Sequence, residues 1–248
     1  MKFLNLIPED GNIAVIGGGG KTGLIRALAE ESQAAGRPVL VTVTTRLGRD
    51  DFPALDPIEA AGPFEALVAL GRAEQGERVL LTGPFRPDNL TLHKFSGVPL
   101  AWFPLMRQFV PTGLTLLVEA DGSARLPLKA HRAGEPVLPP LDNFVIGVIG
   151  LSALLIPWRK ALHRPEAFSA LAPLPPEDQP LAPEAVAAFI ASAWAPLKPG
   201  LIFLNQVDLL VTEPEQHLGR RLADLLSAAG FPVVVGSLKH RSFFRWGS

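Results

Sequence analysis

Short apolar runs alternate with amphipathic stretches along most of the chain. The runs are rich in Val, Ile and Leu, as expected for strands of a parallel sheet that is buried on both faces. They predict strands at 13–16, 38–45, 79–82, 114–118, 144–149, 201–204 and 231–235. Apolar residues at helical spacing predict helices at 24–35, 64–72, 105–110, 183–194 and 213–229. This alternation predicts a three-layer α/β fold, in which helices cover both faces of a mostly parallel sheet.

The remaining segments show no regular period. Residues 48–63 are rich in Asp and Pro and are predicted to form a loop, and residues 88–104 give a poor signal. Frequent prolines at about 157–183 predict a surface excursion or a small subdomain. A basic, aromatic tail follows the last predicted strand. We expect one domain over residues 1–248.

A glycine run separates the first predicted strand from the first predicted helix. It consists of Gly17, Gly18, Gly19 and Gly20 and is followed by Lys21 and Thr22. Glycines let a loop wrap closely around a polyanion, with amide hydrogens and the next helix N-terminus directed at phosphate oxygens. Lys21 would neutralise the terminal phosphates, and the Thr22 hydroxyl would be a ligand of Mg²⁺. The run predicts a phosphate-binding loop in a P-loop NTPase-like fold.

The spacing of this loop is shorter than the usual G-x-x-x-x-G-K-[ST], because Val15 stands five positions before Gly20. A compact G-x-x-G-K-[ST] loop is similar to that of the Mur ligase and folylpolyglutamate synthetase families. The alternative is a flexible glycine linker. A buried strand before the run and a Lys-Thr helix start after it favour phosphate binding.

Two acidic residues, Glu119 and Asp121, follow the predicted strand 114–118. Ligands of parallel sheets bind beyond the carboxyl ends of the strands, which is also where the glycine run lies. With Lys21 they form the predicted catalytic set, and with Thr22 the predicted metal ligands, since phosphoanhydride hydrolysis depends on positioning and charge neutralisation. The alternative is an ordinary Asp-Gly-Ser turn.

Asn205 and Asp208 follow the predicted strand 201–204 and resemble the N-K-x-D motif that recognises guanine in GTPases, with Gln206 in place of Lys. The Asp carboxylate would accept from two guanine nitrogens, which adenine cannot match. Ser237 and Lys239, after the last strand, resemble the S-A-K loop of the same proteins. These four residues are predicted to bind the base, although helix capping or a polar turn is the alternative for each pair.

Other polar residues each have a functional and a structural interpretation. Thr44, Thr45 and Arg46 end the second strand, where the hydroxyls could reach Mg²⁺ or the γ-phosphate, but threonine is also a good strand former. Six basic residues could supply charge to a transition state or hold an anionic partner, and the alternative is a solvated surface. They are Arg125, Lys129, His131, Arg132, His163 and Arg164.

Composition and charge exclude several classes of protein. The 248 residues are 48% hydrophobic and 19% charged, which indicates a globular protein. A net charge of −1 indicates neither nucleic-acid nor anionic-membrane binding. Cysteine is absent, which excludes disulfides and thiolate chemistry, and the longest apolar stretch, 144–156, is too short to span a bilayer. We expect a cytoplasmic protein.

Several motifs together resemble the selenium-dependent hydroxylase accessory protein family, which is YqeC-like. The motifs are the glycine run with Lys21 and Thr22, Thr44 with Thr45, 119–123, 127–130 with 135–139, His163 with Arg164, and 204–208. The resemblance implies a P-loop nucleotide-binding protein that assists maturation of selenium-dependent molybdenum hydroxylases, which carry a molybdopterin cofactor. The implied partners are a nucleotide and a hydroxylase client or its cofactor. Gly23, Ala124 and Gln206 depart from the family pattern.

Three functions are compatible with these residues. The first is an Mg²⁺-dependent NTPase that uses GTP or ATP, with GTP favoured by the Asn205 and Asp208 pair. The second is a nucleotide-gated binding protein or cofactor chaperone that scarcely hydrolyses. The third, indicated by the compact loop, is an ATP-dependent ligase or small-molecule kinase, although the chain lacks room for the additional domains of Mur ligases.

Overall fold

A nine-stranded sheet forms the centre of the computed structural model, which describes residues 2–87 and 93–247. The strands in chain order are β1 (Gly11–Gly17), β2 (Val39–Val43), β3 (Leu47–Gly48), β4 (Asp56–Glu59), β5 (Val79–Thr82), β6 (Phe85–Pro87), β7 (His93–Phe95), β8 (Thr115–Glu119), β9 (Leu128–Lys129), β10 (Asn143–Gly150), β11 (Leu162–His163), β12 (Leu201–Asn205), β13 (Val233–Ser237) and β14 (Ser242–Arg245). The helices are α1 (Lys21–Ala34), α2 (Pro63–Glu74), α3 (Phe103–Phe109), α4 (Trp158–Ala161), α5 (Pro165–Ser169), α6 (Pro183–Trp194) and α7 (Glu213–Ala228).

The strand order in the large sheet is β14-β13-β12-β10-β1-β8-β2-β5-β4. Neighbouring strands are parallel except for β13 and β14, which are antiparallel. β1 lies between β8 and β10, and its register places Val15 opposite Glu119 and Gly17 opposite Val148. Because these strands are parallel, their carboxyl ends meet at one edge of the sheet. The functional residues predicted after these strands are therefore neighbours.

Both faces of the sheet are covered by helices, which confirms the predicted three-layer α/β architecture. Ile13 and Val15 of β1 pack in one cluster with Leu24 and Leu28 of α1. Ala14 of β1, on the opposite face, packs in a second cluster with residues of α6 and α7. A third cluster joins α2 and α3 to β2, β5 and β8. Alternate residues of one strand are thus buried on both faces, as the continuous apolar runs predict.

The two strands at the edges of the large sheet were not predicted from the sequence. Residues 48–63 were expected to be a loop, but β4 lies within them and pairs in parallel with β5. The last strand was expected to be β13, but β14 follows it in the aromatic tail. Three of the four β4 side chains are exposed, so the burial that produces an apolar run is missing. An edge strand is held by main-chain hydrogen bonds to one neighbour only. The pattern of apolar and polar residues is then a weak indication that a strand forms.

Two small sheets accompany the large one. β9 and β11 pair in parallel, and β7 pairs with β3 and β6 in antiparallel fashion. The poor-signal segment 88–104 contains β7 and the start of α3, while its residues 88–92 lie outside the described part of the chain. The proline-rich segment 157–183 contains α4, β11 and α5, and its Trp158 and Phe168 side chains are buried in the cluster that includes α6 and α7. The single-domain organisation stays a prediction.

None of the helices within residues 2–87 and 93–247 combines the length and the apolar character needed to cross a lipid bilayer.

Candidate functional site

The glycine run forms a tight connection between β1 and α1. Gly19 and Gly20 have φ values of +77° and +133°, which L side chains rarely adopt. A Cβ atom at Gly19 would lie 2.3 Å from the amide nitrogen of Gly150, and one at Gly20 would lie 2.5 Å from Nδ2 of Asn205. Neither position has room for a side chain. The run is therefore a packed loop at the carboxyl end of β1, and the flexible-linker alternative does not describe it.

Lys21 is the first residue of α1, and its ammonium group is buried among oxygen atoms. Its Nζ donates to the carbonyl of Gly17 at 2.9 Å and lies 3.1 Å from Oδ1 of Asp121. Oε1 of Glu119 is 3.8 Å away. The Lys21 side chain is only 3% exposed. Two carboxylates from the end of β8 thus compensate a cation that would otherwise be costly to bury.

Several protein groups contact the Asp121 carboxylate. Its Oδ2 accepts from the amide of Gly17 at 2.8 Å and lies 2.5 Å from Nε2 of His131. Burial on its own raises the pKa of the Asp121 carboxyl, but the Lys21 ammonium and the His131 hydrogen bond lower it, to about 2. The carboxylate is therefore ionised at neutral pH. This geometry favours a positioning role for Asp121 over direct metal ligation.

Glu119 and Thr22 present oxygen atoms beside this buried pair. The Thr22 hydroxyl donates to Oε2 of Glu119 at 3.0 Å. Burial raises the pKa of the Glu119 carboxyl, and the Lys21 ammonium and the Thr22 hydrogen bond oppose that rise. Within the described ranges no group of three or more His, Cys, Asp or Glu residues could hold a metal ion by itself. Mg²⁺ is commonly held by one or two carboxylates together with substrate phosphates, and the hydroxyl and carboxylate oxygens here fit that donor set.

Three main-chain amides of the loop donate to acceptors within the protein. Gly17 donates to Asp121, Gly18 to the carbonyl of Val148 at 2.9 Å, and Gly19 to the carbonyl of Leu126 at 3.0 Å. The first amides of α1 have no acceptor inside their own helix, as at any helix start. An anion at this edge of the sheet would therefore meet the N-terminus of α1, and the first three glycines would shape the loop.

Asn205 links the glycine loop to the end of β13. Its Nδ2 donates to the carbonyl of Gly19 at 2.8 Å, and its Oδ1 accepts from the amide of Leu238 at 3.0 Å. Ser237, just before Leu238, is buried, and its hydroxyl accepts from the amide of His240 at 3.3 Å. The structure thus brings Asn205 and the segment at the end of β13 next to the glycine loop.

Asp208 and Lys239 lie at the outer side of this region. Oδ2 of Asp208 is 4.0 Å from Nε2 of His240, and Lys239 is exposed. Gln206, at the position of the Lys in N-K-x-D, has a φ of +73°, and its Oε1 accepts from the Ser152 hydroxyl at 2.7 Å. The Gln206 side chain therefore turns towards the end of β10. Base contact by Asp208 stays a prediction.

The remaining candidates fall into two groups. Thr44 donates its hydroxyl to the carbonyl of Val137 at 2.6 Å, and the Arg125 side chain is 92% exposed. Lys129 and His131, in contrast, are buried beside Asp121, so the solvated-surface alternative does not describe them. Sequence reasoning assigned no role to Glu135, which contacts Lys129. In the sequence, Glu135 was indicated only by its position in segment 135–139, which contributes to the family resemblance.

Comparisons with known proteins agree on one family. The model of the YqeC protein family matches residues 13–166, which include most of β1, the glycine loop and the two acidic residues at the end of β8. The uncharacterized protein YqeC of Escherichia coli (strain K12) is 33% identical over 150 residues. That alignment covers 56% of this chain and 51% of the relative, so the matched region spans about half the length of the relative.

Proposed function

This chain belongs to the YqeC family, and we propose that it is a magnesium-dependent P-loop nucleotide-binding protein that hydrolyses GTP. The observation that carries the proposal is the Lys21 ammonium, held at the end of β1 beside the N-terminus of α1 and 3.1 Å from Asp121. A buried cation next to helix amides is a site where phosphate oxygens are stabilised.

Each residue has a distinct task in this proposal. Lys21 neutralises the terminal phosphates, and Asp121 holds the ammonium in place before the nucleotide binds. Thr22 and Glu119 provide the protein oxygens for Mg²⁺, which lowers the charge of the phosphate chain when it is bound. The three residues Lys21, Glu119 and Asp121 are the proposed catalytic set, because hydrolysis depends on positioning and charge neutralisation.

Base recognition is assigned to the carboxyl ends of β12 and β13. Asp208 would accept from the two guanine nitrogens that carry hydrogen, and Asn205 with Ser237 would hold the surrounding loops. The Gln206 side chain is directed to Ser152, so the stacking that the Lys stem of N-K-x-D supplies is reduced. We therefore propose GTP as the nucleotide, with a lower base affinity than a complete motif would have.

The biological role that we propose is assistance in maturation of selenium-dependent molybdenum hydroxylases. It is supported by the resemblance of the segments at 119–123, 127–130 and 135–139, and the partner would be the hydroxylase or its cofactor. A cytoplasmic location is part of the same proposal.

One observation favours a second candidate, a nucleotide-gated chaperone that scarcely hydrolyses. Both carboxylates at the loop are already engaged, Asp121 with Lys21 and Glu119 with Thr22, so their availability to orient a water is reduced. Micromolar GTP affinity without phosphate release would support this candidate. Product formed only in the presence of ATP, an acid and an amine would support the ligase function instead.

Calorimetry with GTP and ATP, with and without Mg²⁺, tests the proposal. Lys21→Ala should abolish binding, whereas Lys160→Ala, which changes an exposed lysine on α4, should bind like the unchanged protein. Undiminished affinity in Lys21→Ala would contradict nucleotide binding at this loop.

Asp208→Asn tests the choice of base. An amide at this position can donate to the 2-oxo group of xanthine, which replaces the amino group of guanine, so the preference should change from GTP to XTP. Asp224→Asn is the matched control on α7, and its preference should remain GTP. Equal preference for ATP in every variant would contradict guanine recognition.

A further inference from the structure

A second charged cluster lies beside the phosphate loop, around the carboxylate of Glu135. Lys129 is the last residue of β9, and Arg164 follows β11 directly. β9 and β11 are parallel, with Lys129 opposite His163, so both cations leave the same end of this small sheet. We call Lys129, Arg132, Glu135 and Arg164 the Glu135 cluster.

The Glu135 cluster contains more positive than negative charge. Nζ of Lys129 and Nε of Arg164 each lie 3.2 Å from Oε2 of Glu135, and Nε of Arg132 lies 3.9 Å from Oε1. Lys129 is also 3.9 Å from Asp121, but that carboxylate already contacts Lys21. Glu135 thus lies near three cations, of which the Lys129 side chain has no solvent exposure and the Arg132 side chain is 63% exposed.

The pKa values of His163 and Glu135 reflect the positive charges of Lys129 and Arg164. Burial lowers the pKa of His163, and the positive charges of Arg164 and Lys129 lower it further. Burial on its own raises the pKa of Glu135, but Lys129 and Arg164 overcome it, so that the carboxyl has a lowered pKa. Lys129 and Arg164 are the less exposed cations of the cluster, and they hold the Glu135 carboxylate between them in its ionised form.

One N–H group of the Arg164 guanidinium makes no hydrogen bond within the described residues. Its Nη2 donates to Oε1 of Glu135 at 3.3 Å. Its Nε, although close to Oε2, lacks hydrogen-bond geometry, and this buried N–H has no acceptor in the described part of the chain. Oε2 of Glu135 likewise accepts no hydrogen bond there. The Arg–carboxylate pair is therefore not in the bidentate arrangement in which it is strongest.

We propose that the Glu135 cluster is a binding site for the carboxylate of a small acidic co-substrate, and that Glu135 occupies the ligand position in this structure. A planar carboxylate fits because Lys129 and Arg164 already hold one between them. The arginine fork can bind such a group through two parallel hydrogen bonds once Glu135 has moved aside. Since Lys129 and Lys21 share Asp121, the ligand would lie beside the phosphate loop. This site does not depend on the identity of the nucleotide.

Calorimetry with malonate as the probe, in buffers matched in ionic strength with chloride, tests the site. Glu135→Gln removes the internal competitor and keeps its shape, so malonate should bind about tenfold more tightly than to the unchanged protein. Adding Arg164→Gln to that variant should remove at least this gain. Glu177→Gln and Arg159→Gln are the matched controls, because these residues form an exposed ion pair elsewhere on the surface. Neither control should change malonate affinity.

Further variants keep the test decisive. If Arg164→Gln does not fold, as judged by circular dichroism, Arg164→Lys retains the charge but loses the fork, and it should still weaken malonate binding in the Glu135→Gln protein. Lys21→Ala should retain malonate binding even where GTP binding is lost, which separates this site from the phosphate loop. Equal malonate affinity in the unchanged protein, Glu135→Gln and the double variant would overturn the proposal. Phosphate binding to Glu135→Gln as tightly as malonate would overturn the carboxylate assignment.

Discussion

The Asp121 carboxylate lies 3.1 Å from the Lys21 ammonium and also accepts from the amide of Gly17, the residue that ends β1. One side chain therefore fixes both ends of the glycine loop. Because all three groups are buried, their mutual compensation stabilises the folded state. These contacts within the protein hold the loop in its shape.

Asp121→Asn should destabilise the protein by about 3 kcal/mol, because it leaves the Lys21 ammonium buried without its nearest counter-charge. Urea denaturation at pH 7 measures the change in the free energy of unfolding. Asp142→Asn is a matched control, since Asp142 pairs with Arg107 at the surface and is 97% exposed. The control should change stability by less than about 0.5 kcal/mol. Equal effects of the two substitutions would contradict the energetic role of the buried pair.

The lowered pKa of Asp121 also predicts a pH dependence. The folded pKa is about 2, below the ordinary value, so the ionised carboxylate stabilises the folded state above the unfolded pKa. That contribution is about 2 kcal/mol at neutral pH and is lost as pH falls from about 4 towards 2. The difference in unfolding free energy between the unchanged protein and Asp121→Asn should therefore narrow by about 1–2 kcal/mol between pH 6 and pH 2.5. A difference that stays constant over this range would contradict the lowered pKa.

Gly20→Ala should impair both stability and nucleotide binding. The new Cβ would lie 2.5 Å from Nδ2 of Asn205, and the φ of +133° is unfavourable for alanine. Gly113→Ala provides the control, because Gly113 also has a positive φ but no heavy atom within 4 Å of the added Cβ. Thermal unfolding should show that Gly20→Ala lowers the free energy of unfolding by about 1–2 kcal/mol more than the control does. Similar decreases in the free energy of unfolding for Gly20→Ala and Gly113→Ala would mean that the close approach to Asn205 has no energetic effect.

The central strands and the grouping of Lys21, Glu119 and Asp121 could be predicted from the sequence. Continuous apolar runs mark strands that are buried on both faces, and parallel strands bring their carboxyl ends to one edge. β4 and β14 could not be predicted in the same way, because their exposed edge positions do not require apolar side chains. Their existence depends on pairing with β5 and β13, which a local pattern does not reveal.

The surroundings of Asp121 were harder to predict than Asp121 itself. Lys129 and His131 follow it within ten residues, and charged residues in an irregular segment usually lie at the surface. They are buried because β9 pairs with β11, which is more than thirty residues away along the chain. The sequence also placed Asn205 at a strand end, but its bridge between Gly19 and Leu238 depends on the distant loops that meet there.

Asn205→Ala should loosen the connection between the glycine loop and the end of β13. The substitution removes one donor and one acceptor that bridge these segments, and the expected loss of stability is about 1–3 kcal/mol. Hydrogen exchange should become faster at the amide of Leu238, which loses its acceptor, and GTP affinity should decrease through the altered loop. Asn12→Ala is the control, because the Asn12 amide makes a long bond of 3.4 Å at an exposed position. Unchanged exchange at Leu238 in Asn205→Ala would show that the bridge does not hold these loops together, and any loss of GTP affinity would then indicate a direct contact between Asn205 and the nucleotide.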